Sequence, residues 1–199
     1  SEGRGTVWRL ESAEGRWILK RYLRGGVVAR VVSDHYFFMG YERTRMAQEF
    51  RLLCSLCEMR LPVPRPVAAF IQRSGPALYA GSLITQYLEG TQSLSSLIRS
   101  SHLSDAPWAA VGSTIRRFHD HGVIHRDLNA SNVLLSGGEV HLIDFDKGRL
   151  ATPRTNDSWK QANLRRLYRS LEKISTGQDS DLGDHWATLL SAYAESSSG

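Results

Sequence analysis

Three side chains with oxygen ligands recur at close spacing in the middle of the sequence. Asp127 and Asn132 stand five residues apart in HRDLNASN, and Asp144 follows twelve residues later in LIDFD. A carboxylate can take the proton of a hydroxyl group, and carboxylate and amide oxygens are hard ligands that suit Mg²⁺. This set is what phosphoryl transfer from a nucleotide requires. The alternative is a polar loop in which Asn, Asp and Ser serve backbone geometry alone.

The elements predicted on either side of this loop decide between the two interpretations. WAAVGSTIRRFHDHG predicts a helix that ends at Gly122, because its apolar residues recur at helical spacing. These residues are Trp108, Val111, Ile115 and Phe118. NVLLSGGEVHLIDFD predicts a hairpin with a Gly-Gly turn. A helix before the loop and a hairpin after it bring Asp127, Asn132 and Asp144 to one end of the hairpin.

The sequence upstream of this region predicts a sheet with one helix. GRGTVWRL and RWILKRY are predicted strands joined by the turn ESAEG, and ALYAGSLITQYLEG is predicted to form two strands that run into a connector at 88–90. From about Thr44 to Arg60 apolar residues recur at steps of four, three and four, which predicts a helix. Downstream, SWKQANLRRLYRSLEKI predicts another helix, with Leu164, Leu167, Leu171 and Ile174 on one face.

HRDxxxxN followed by DF resembles the signature of protein-kinase-like enzymes. By this resemblance Gly3 and Gly5 in GRGTVW form the glycine-rich loop, and Lys20 in WILKRY contacts the α and β phosphates of ATP. Glu49 on the following helix is placed to pair with Lys20. Two other carboxylates, Glu42 and Glu58, flank the same helix and are alternative partners.

We therefore predict an α+β, two-lobed, protein-kinase-like fold. The small β-rich lobe with one helix spans about 1–88 and the reduced helical lobe about 91–199, together a single domain over 1–199. Because the sequence begins at Ser1 without Met, we expect a further segment to precede it. DFD replaces DFG, no APE follows, and Asn129 stands where many protein kinases have lysine. These departures favour a small-molecule or lipid acceptor.

Several longer motifs narrow the resemblance. GRGTVW, LRGG, LPVPRPVAA, DLNASNVLL and LIDFDKG, together with the pattern of the last predicted helix, resemble the 3-deoxy-D-manno-octulosonic acid (Kdo) kinases, which share a kinase-like fold with lipopolysaccharide heptose kinases. The resemblance implies ATP-dependent transfer, with Mg²⁺, to the 4-hydroxyl of Kdo on a lipid A precursor. It implies that Asp127 is the catalytic base, that Asn132 and Asp144 hold Mg²⁺, and that Leu134 packs under the adenine. It places the enzyme peripherally at the cytoplasmic face of the Gram-negative inner membrane.

Charge supports a membrane partner independently. The formal net charge is +5, and 21 of the 25 basic residues are arginines, which suit phosphate and carboxylate groups. Residues 16–30 hold five basic side chains and no acidic one: Arg16, Lys20, Arg21, Arg24 and Arg30. We expect this segment to dock the lipid acceptor at an anionic surface, with apolar contacts from Val27, Val28, Val31, Val32, Tyr36, Phe37 and Phe38. A solvated loop beside an ordinary core strand is the alternative.

Other functions remain as alternatives. A heptose kinase or an aminoglycoside-type phosphotransferase would use the same residues on another acceptor, and a pseudokinase would bind nucleotide without catalysis. We predict no specific nucleic-acid partner, because no helix-turn-helix, zinc or aromatic-platform motif is present. No obligate protein partner is evident. Cys54 and Cys57 lie within a predicted helix and indicate neither a disulfide framework nor a zinc site.

Overall fold

The computed structural model describes residues 5–22, 36–100, 106–175 and 182–195 of the 199-residue chain. Gly3 and the basic and valine-containing part of the predicted docking segment beyond Tyr22 lie outside these residues. The chain divides into two compact units, Ser1–Ser55 with Pro64–Leu88, and Leu56–Val63 with Glu89–Gly199. That the two form one kinase-like domain stays a prediction.

The first unit is an antiparallel sheet with one long helix, as predicted. Its strands are β1 (Gly5–Ser12), β2 (Gly15–Tyr22), β3 (Tyr36–Phe37), β4 (Pro66–Ser74) and β5 (Leu78–Gln86). Its helix is α1 (Arg45–Glu58), of which all but the last three residues belong to this unit. Strand β5 pairs with β2, β3 and β4, and β1 pairs with β2. The β1–β2 register places Val7 opposite Lys20, and β5 places Leu83 beside Lys20 on the other side. Lys20 therefore lies in the middle of the sheet.

The prediction of two strands in ALYAGSLITQYLEG is wrong, because the segment forms the single strand β5 and its partner β4 lies upstream. Gly81 lies inside this strand. In the structure a Cβ on Gly81 would overlap the carbonyl oxygen of Phe70 and the end of the Met46 side chain. This glycine is needed for close packing within a continuous strand.

Aromatic side chains at β3 divide between the two faces of the sheet. Tyr36 and Phe38 are half-buried and pack against Tyr79, with ring centroids 5.4 and 6.3 Å apart. Phe37 is 67% exposed and Met39 68% exposed. Of the three aromatic residues predicted to meet the acyl region, only Phe37 is largely open to solvent, because Tyr36 and Phe38 pack against the buried ring of Tyr79.

The second unit is mostly helical. Its helices are α2 (Leu94–Arg99), α3 (Ala106–Asp120), α4 (Ser158–Ser175) and α5 (Leu182–Glu195). Its strands are β6 (Gln92–Ser93), β7 (Val123–Ile124), β8 (Val133–Ser136), β9 (Glu139–Leu142) and β10 (Arg149–Leu150). They form a three-stranded sheet, β6-β8-β9, and a two-stranded sheet, β10-β7.

The predicted faces and turns of this unit are confirmed. The apolar face of α3 is at most 2% exposed at each of its four residues: Trp108, Val111, Ile115 and Phe118. Gly122 follows α3 with φ 70°, a conformation that favours glycine. Gly137 and Gly138 turn β8 into β9 with φ 55° and 89°. Leu167 and Leu171 of α4 are fully buried, while Leu164 and Ile174 are half-buried.

Five α-helices and antiparallel sheets in the described residues confirm the α+β class. None of the helices among these residues has both the length and the apolar character that spanning a membrane would demand.

Candidate active site

The side chain of His125 holds the predicted catalytic loop in place by hydrogen bonds, and it is only 2% exposed. Its Nδ1 accepts a hydrogen bond from the backbone N–H of Asp127 at 3.1 Å. Nε2 therefore carries the ring proton and donates to the carbonyl oxygen of Ile143 at 3.0 Å. The ring also packs on Phe145, with centroids 4.7 Å apart. His125 thus joins the loop of Asp127 to the segment of Asp144, as a support and not as a reactant.

Two asparagines fix the other end of the loop. Asn129 caps the short 3-10 turn Ala130–Asn132, where its Oδ1 accepts from the N–H groups of Ser131 and Asn132 at 2.9 and 3.2 Å. The Nδ2 groups of Asn129 and Asn132 both donate to the carbonyl oxygen of Asp127, at 3.1 and 2.9 Å. Asp127 itself is exposed, and within the described residues its carboxylate has no hydrogen-bond partner. The backbone of Asp127 is held firmly while its carboxylate stays accessible to an acceptor.

Asp144 lies at the same end of the β8–β9 hairpin as Asn132. The N–H of Ile143 donates to the carbonyl oxygen of Asn132 at 3.1 Å, which ties the two segments together. The backbone of Asp144 has φ 62°, which is uncommon for a residue other than glycine. The next residue, Phe145, is fully buried and stacks on Phe118 at 5.9 Å. Phe145 anchors the segment, and strained backbone of this kind is concentrated at functional sites.

Two residues of α4 that sequence analysis did not single out form hydrogen bonds to the backbone of the predicted catalytic loop. Asn163 is 5% exposed, donates to the carbonyl oxygen of His125 at 2.8 Å and accepts from its N–H at 3.2 Å. Ser170 Oγ accepts from the N–H of Ala130 at 2.9 Å. An asparagine and a serine inside a helix that buries leucines were the only indications in the sequence, because their partners lie 38 and 40 residues away.

In the first unit Lys20 and Glu49 form the predicted pair. Lys20 Nζ lies 3.0 Å from Oε2 and 3.3 Å from Oε1 of Glu49, whose side chain is 2% exposed. The hydroxyl of Tyr22, a residue that sequence analysis did not assign, also donates to Glu49. The alternative partners are excluded, since Glu42 pairs with Arg51 and Glu58 is exposed at the end of α1. A buried carboxylate with two partners gives the Lys20 ammonium a fixed position on β2.

The remaining predicted residues have simpler surroundings. Gly5 begins β1 and is paired with Tyr22. Leu134 is half-buried in β8, between Ser93 of β6 and His141 of β9. Asp127, Asn132, Leu134 and Asp144 all belong to the second unit, whereas Gly5, Lys20 and Glu49 belong to the first.

The residues predicted to hold Mg²⁺ suit that ion. Asn132 is 8% exposed and uses Nδ2 to donate to Asp127, so its Oδ1 is the end that can accept a cation. Asp144 adds a half-buried carboxylate. The described residues contain no group of three or more His, Cys, Asp or Glu side chains able to hold a metal. A small set of oxygen ligands is typical of Mg²⁺ that is shared between a protein and phosphates.

Each unit thus contains the residues that the protein-kinase-like signature predicts for it: the paired Lys20 and Glu49 in the first, and Asp127, Asn132 and Asp144 in the second. A solved structure, WaaP in complex with acyl carrier protein, has the same fold, with a TM-score of 0.62 and 18% identity over 98% of this chain and 76% of that chain. The model of the lipopolysaccharide kinase (Kdo/WaaP) family matches residues 1–193. The chain therefore belongs to the lipopolysaccharide kinase (Kdo/WaaP) family.

Named relatives are substantially identical to the chain over most of its length. A 3-deoxy-D-manno-octulosonic acid kinase of Stenotrophomonas maltophilia is 42% identical over 194 residues, which cover 96% of this chain and 76% of the relative. One of Xanthomonas oryzae pv. oryzae is 45% identical, with 90% and 72% covered. One of Xylella fastidiosa is 44% identical, with 86% and 68% covered. The family expected from the motifs is confirmed.

Proposed function

We propose that the protein transfers the γ-phosphoryl group of ATP to the 4-hydroxyl of a Kdo residue on a lipid A precursor, in the biosynthesis of the lipopolysaccharide core. The observation that carries the proposal is the identity of 42–45% to Kdo kinases over nearly the whole chain. The accessible carboxylate of Asp127, on a loop fixed by His125 and Asn132, supplies the chemistry that such a transfer requires.

Asp127 acts on the acceptor hydroxyl. Its carboxylate accepts the proton as the hydroxyl oxygen bonds to the γ-phosphorus of ATP, while the bond from that phosphorus to the bridging oxygen breaks and ADP leaves. The proton then passes from Asp127 to solvent. Because catalysis of this type depends on positioning, the bonds from His125, Asn129 and Asn132 to the backbone of Asp127 are its main support.

The predicted nucleotide contacts involve Lys20, Gly5 and Leu134. Lys20, held by Glu49, contacts the α and β phosphates, Gly5 lets backbone approach the phosphates, and Leu134 packs against the adenine. Asn132 and Asp144 would hold Mg²⁺, which neutralises charge on the transferring phosphoryl group when it is bound.

We propose further that the enzyme works as a peripheral protein at the cytoplasmic face of the inner membrane, where its lipid acceptor lies. Support comes from the exposed side chains of Phe37 and Met39 on the first unit, and from the basic residues Arg21, Arg24 and Arg30 in the sequence. Acyl carrier protein is the partner of the structural neighbour, and likeness at 18% identity establishes the fold alone.

The acceptor is tested by offering labelled ATP and Mg²⁺ with four acceptors in parallel. These are a Kdo-bearing lipid A precursor, the same precursor without Kdo, a heptose-bearing core lipid and an aminoglycoside. We expect label on the Kdo-bearing precursor only. Label on the heptose lipid or the aminoglycoside in preference to it would replace the proposal by the corresponding alternative. Bound ATP without transfer to any acceptor would favour a pseudokinase.

A further inference from the structure

Three exposed basic side chains belong to the two segments that carry Asp127 and Asp144. Arg126 directly precedes Asp127, and Lys147 and Arg149 follow Asp144 by three and five residues. The segments also hold the carboxylates of Asp127, Asp144 and Asp146, the first two of which are assigned to the acceptor and the metal. The proposed mechanism gives no role to the three cations.

Backbone pairing holds the basic residues beside the catalytic loop. Strand β10 pairs with β7 so that Arg149 lies opposite Ile124, three residues before Asp127. Beyond this pair, the N–H of Ala151 donates to the carbonyl oxygen of Gly122 at 2.7 Å. The turn before β10 is closed by a 2.8 Å bond from the N–H of Gly148 to the carbonyl oxygen of Phe145. Arg149 therefore has a defined place next to the loop and is not part of a free chain end.

Among the described residues, none of these three basic side chains forms an ion pair with a carboxylate. Arg126 and Lys147 make no hydrogen bond or ion pair within the part of the chain that the structure describes, and the side chain of Arg149 makes a single long bond of 3.4 Å to the carbonyl oxygen of Leu150. By contrast, Lys20 and Arg116 each pair with a carboxylate. Guanidinium groups that are not paired with an internal carboxylate are suited to bind an external carboxylate or phosphate through paired N–H groups.

We propose that Arg126 and Arg149 bind the carboxylate of the acceptor sugar acid, with Lys147 adding positive charge, and that this contact selects an acidic sugar. The inference rests on the proposed function. Kdo is a sugar acid, so its carboxylate and its 4-hydroxyl belong to the same sugar residue. A neutral heptose lacks the carboxylate, and a cationic aminoglycoside would be repelled by the same side chains.

The experiment compares Arg149→Gln and Arg149→Lys with the unaltered protein on two acceptors. One acceptor is the Kdo-bearing lipid A precursor, and the other is its Kdo methyl ester, which removes the negative charge and keeps the 4-hydroxyl. We expect Arg149→Gln to raise KM for the free acid about 10- to 100-fold, as for the loss of a charge-assisted hydrogen bond, without raising KM for ATP. Arg149→Lys should retain part of the affinity, because it keeps the charge but not the fork of N–H groups. Arg126→Gln should act in the same direction.

The methyl ester provides the decisive comparison, because the change is made in the acceptor and the protein stays unaltered. Esterification should raise KM about 10- to 100-fold for the unaltered protein and have little further effect in Arg149→Gln, since the two changes remove the same contact. Arg169→Gln, on the exposed side of α4, is the matched control and should leave both KM values unchanged. Equal use of acid and ester by the unaltered protein would overturn the inference, as would a rise in KM for ATP alone. Failure of the unaltered protein to phosphorylate either acceptor would instead contradict the proposed function.

Discussion

At the scale of single residues, the loop that carries Asp127 is positioned almost entirely through its backbone. His125, Asn129 and Asn132 contact the N–H or carbonyl group of Asp127, and none of these bonds uses its carboxylate. Asn163 performs the same task from α4, by making two hydrogen bonds to the backbone of His125. Asn163 therefore helps to fix the position of the carboxylate that is proposed as the base, through backbone contacts alone.

Asn163→Ala should lower kcat about 10- to 100-fold, because small displacements of a catalytic group are costly in phosphoryl transfer. KM for ATP should change little, since Lys20 is anchored separately by Glu49. Steady-state kinetics would measure kcat and KM for ATP separately, on protein shown to be folded by circular dichroism. Asn156→Ala, an exposed asparagine just before α4, is the control. An Asn163→Ala enzyme with unchanged kcat but a lower melting temperature would show that Asn163 serves stability alone.

His119 makes the second unit sensitive to acid. It is 3% exposed, it meets Tyr193 at 2.8 Å and it packs edge-on against Trp159 at 4.9 Å. Burial lowers the pKa of His119 from 6.5 to about 4. Smaller effects come from Asn163, which raises the pKa, and from the charges of Lys160, Asp120 and Arg116. The neutral imidazole is therefore the form that the folded protein accommodates.

Because this pKa is lower in the folded state, the unfolded state takes up the proton first as pH falls. The stabilising contribution is complete above pH 6.5 and is lost as the pH falls toward 4. We expect the free energy of unfolding to drop by about 2 kcal/mol between pH 7 and pH 5 from this residue. Urea titrations of the unaltered protein and of His119→Gln at both pH values measure it. Equal drops in the two proteins would rule out His119 as the source.

At the scale of elements, the contact between α3 and α5 depends on one glycine. A Cβ on Gly112 of α3 would overlap the backbone carbonyl of Leu189 in α5, and Leu189 is fully buried. The two helices are thus closer at this point than any larger residue permits. The contact also brings Tyr193 of α5 to His119 of α3.

Gly112→Ala should destabilise the protein by about 1–3 kcal/mol, as expected for overpacking, despite the better helix propensity of alanine. Thermal or urea unfolding measures the change. Gly183→Ala is the matched control, since a Cβ on this α5 residue meets nothing within 4 Å and should cost no stability. If both substitutions were neutral, the close approach of α3 and α5 would not contribute to stability.

The sequence predicted structure best where the residue pattern depends on a single helix or turn and not on distant contacts. The α3 face from Trp108 to Phe118 and the Gly137–Gly138 turn could be predicted because periodicity and glycine geometry are local properties. Asn163 and Ser170 could not, because their importance depends on partners about 40 residues away that only the folded chain brings near. The need for glycine at position 81 could not be predicted either, since the close contact with Phe70 and Met46 is not visible in the strand that contains it. Helix α5 was also not predicted. The side that packs on α3 includes Leu189 and Tyr193, and only their contacts with Gly112 and His119 in the folded chain identify it.

At the scale of the whole molecule, the charge suits a protein that works on a lipid. The net charge is +5, and the basic residues between 16 and 30 are uninterrupted by acidic ones. An anionic bilayer attracts such a segment by about 1 kcal/mol for each basic group near its surface. Apolar side chains such as Phe37 would add a contribution that does not depend on salt.

Reversing Arg21, Arg24 and Arg30 to Glu should weaken binding to anionic phospholipid vesicles at least about 100-fold, because each basic group near the surface contributes about 1 kcal/mol. Reversing Arg165, Arg166 and Arg169, which are exposed along α4, changes the net charge equally and should weaken binding much less. Vesicle sedimentation at two salt concentrations measures both. Undiminished binding of the first variant would remove residues 16–30 as the docking segment, and equal losses would indicate a general effect of net charge.

The proposed role of Asp127 is to direct the phosphoryl group of ATP to the 4-hydroxyl of Kdo. It is tested most directly by incubating a Kdo-bearing lipid A precursor with ATP, Mg²⁺ and either the unaltered protein or Asp127→Asn, and locating phosphate on the product by NMR. We predict one added phosphate at the 4-position of Kdo with the unaltered protein, and a rate at least about 100-fold lower with Asp127→Asn, whose amide cannot accept the proton. Phosphate at another position, or equal transfer by the variant, would contradict the account.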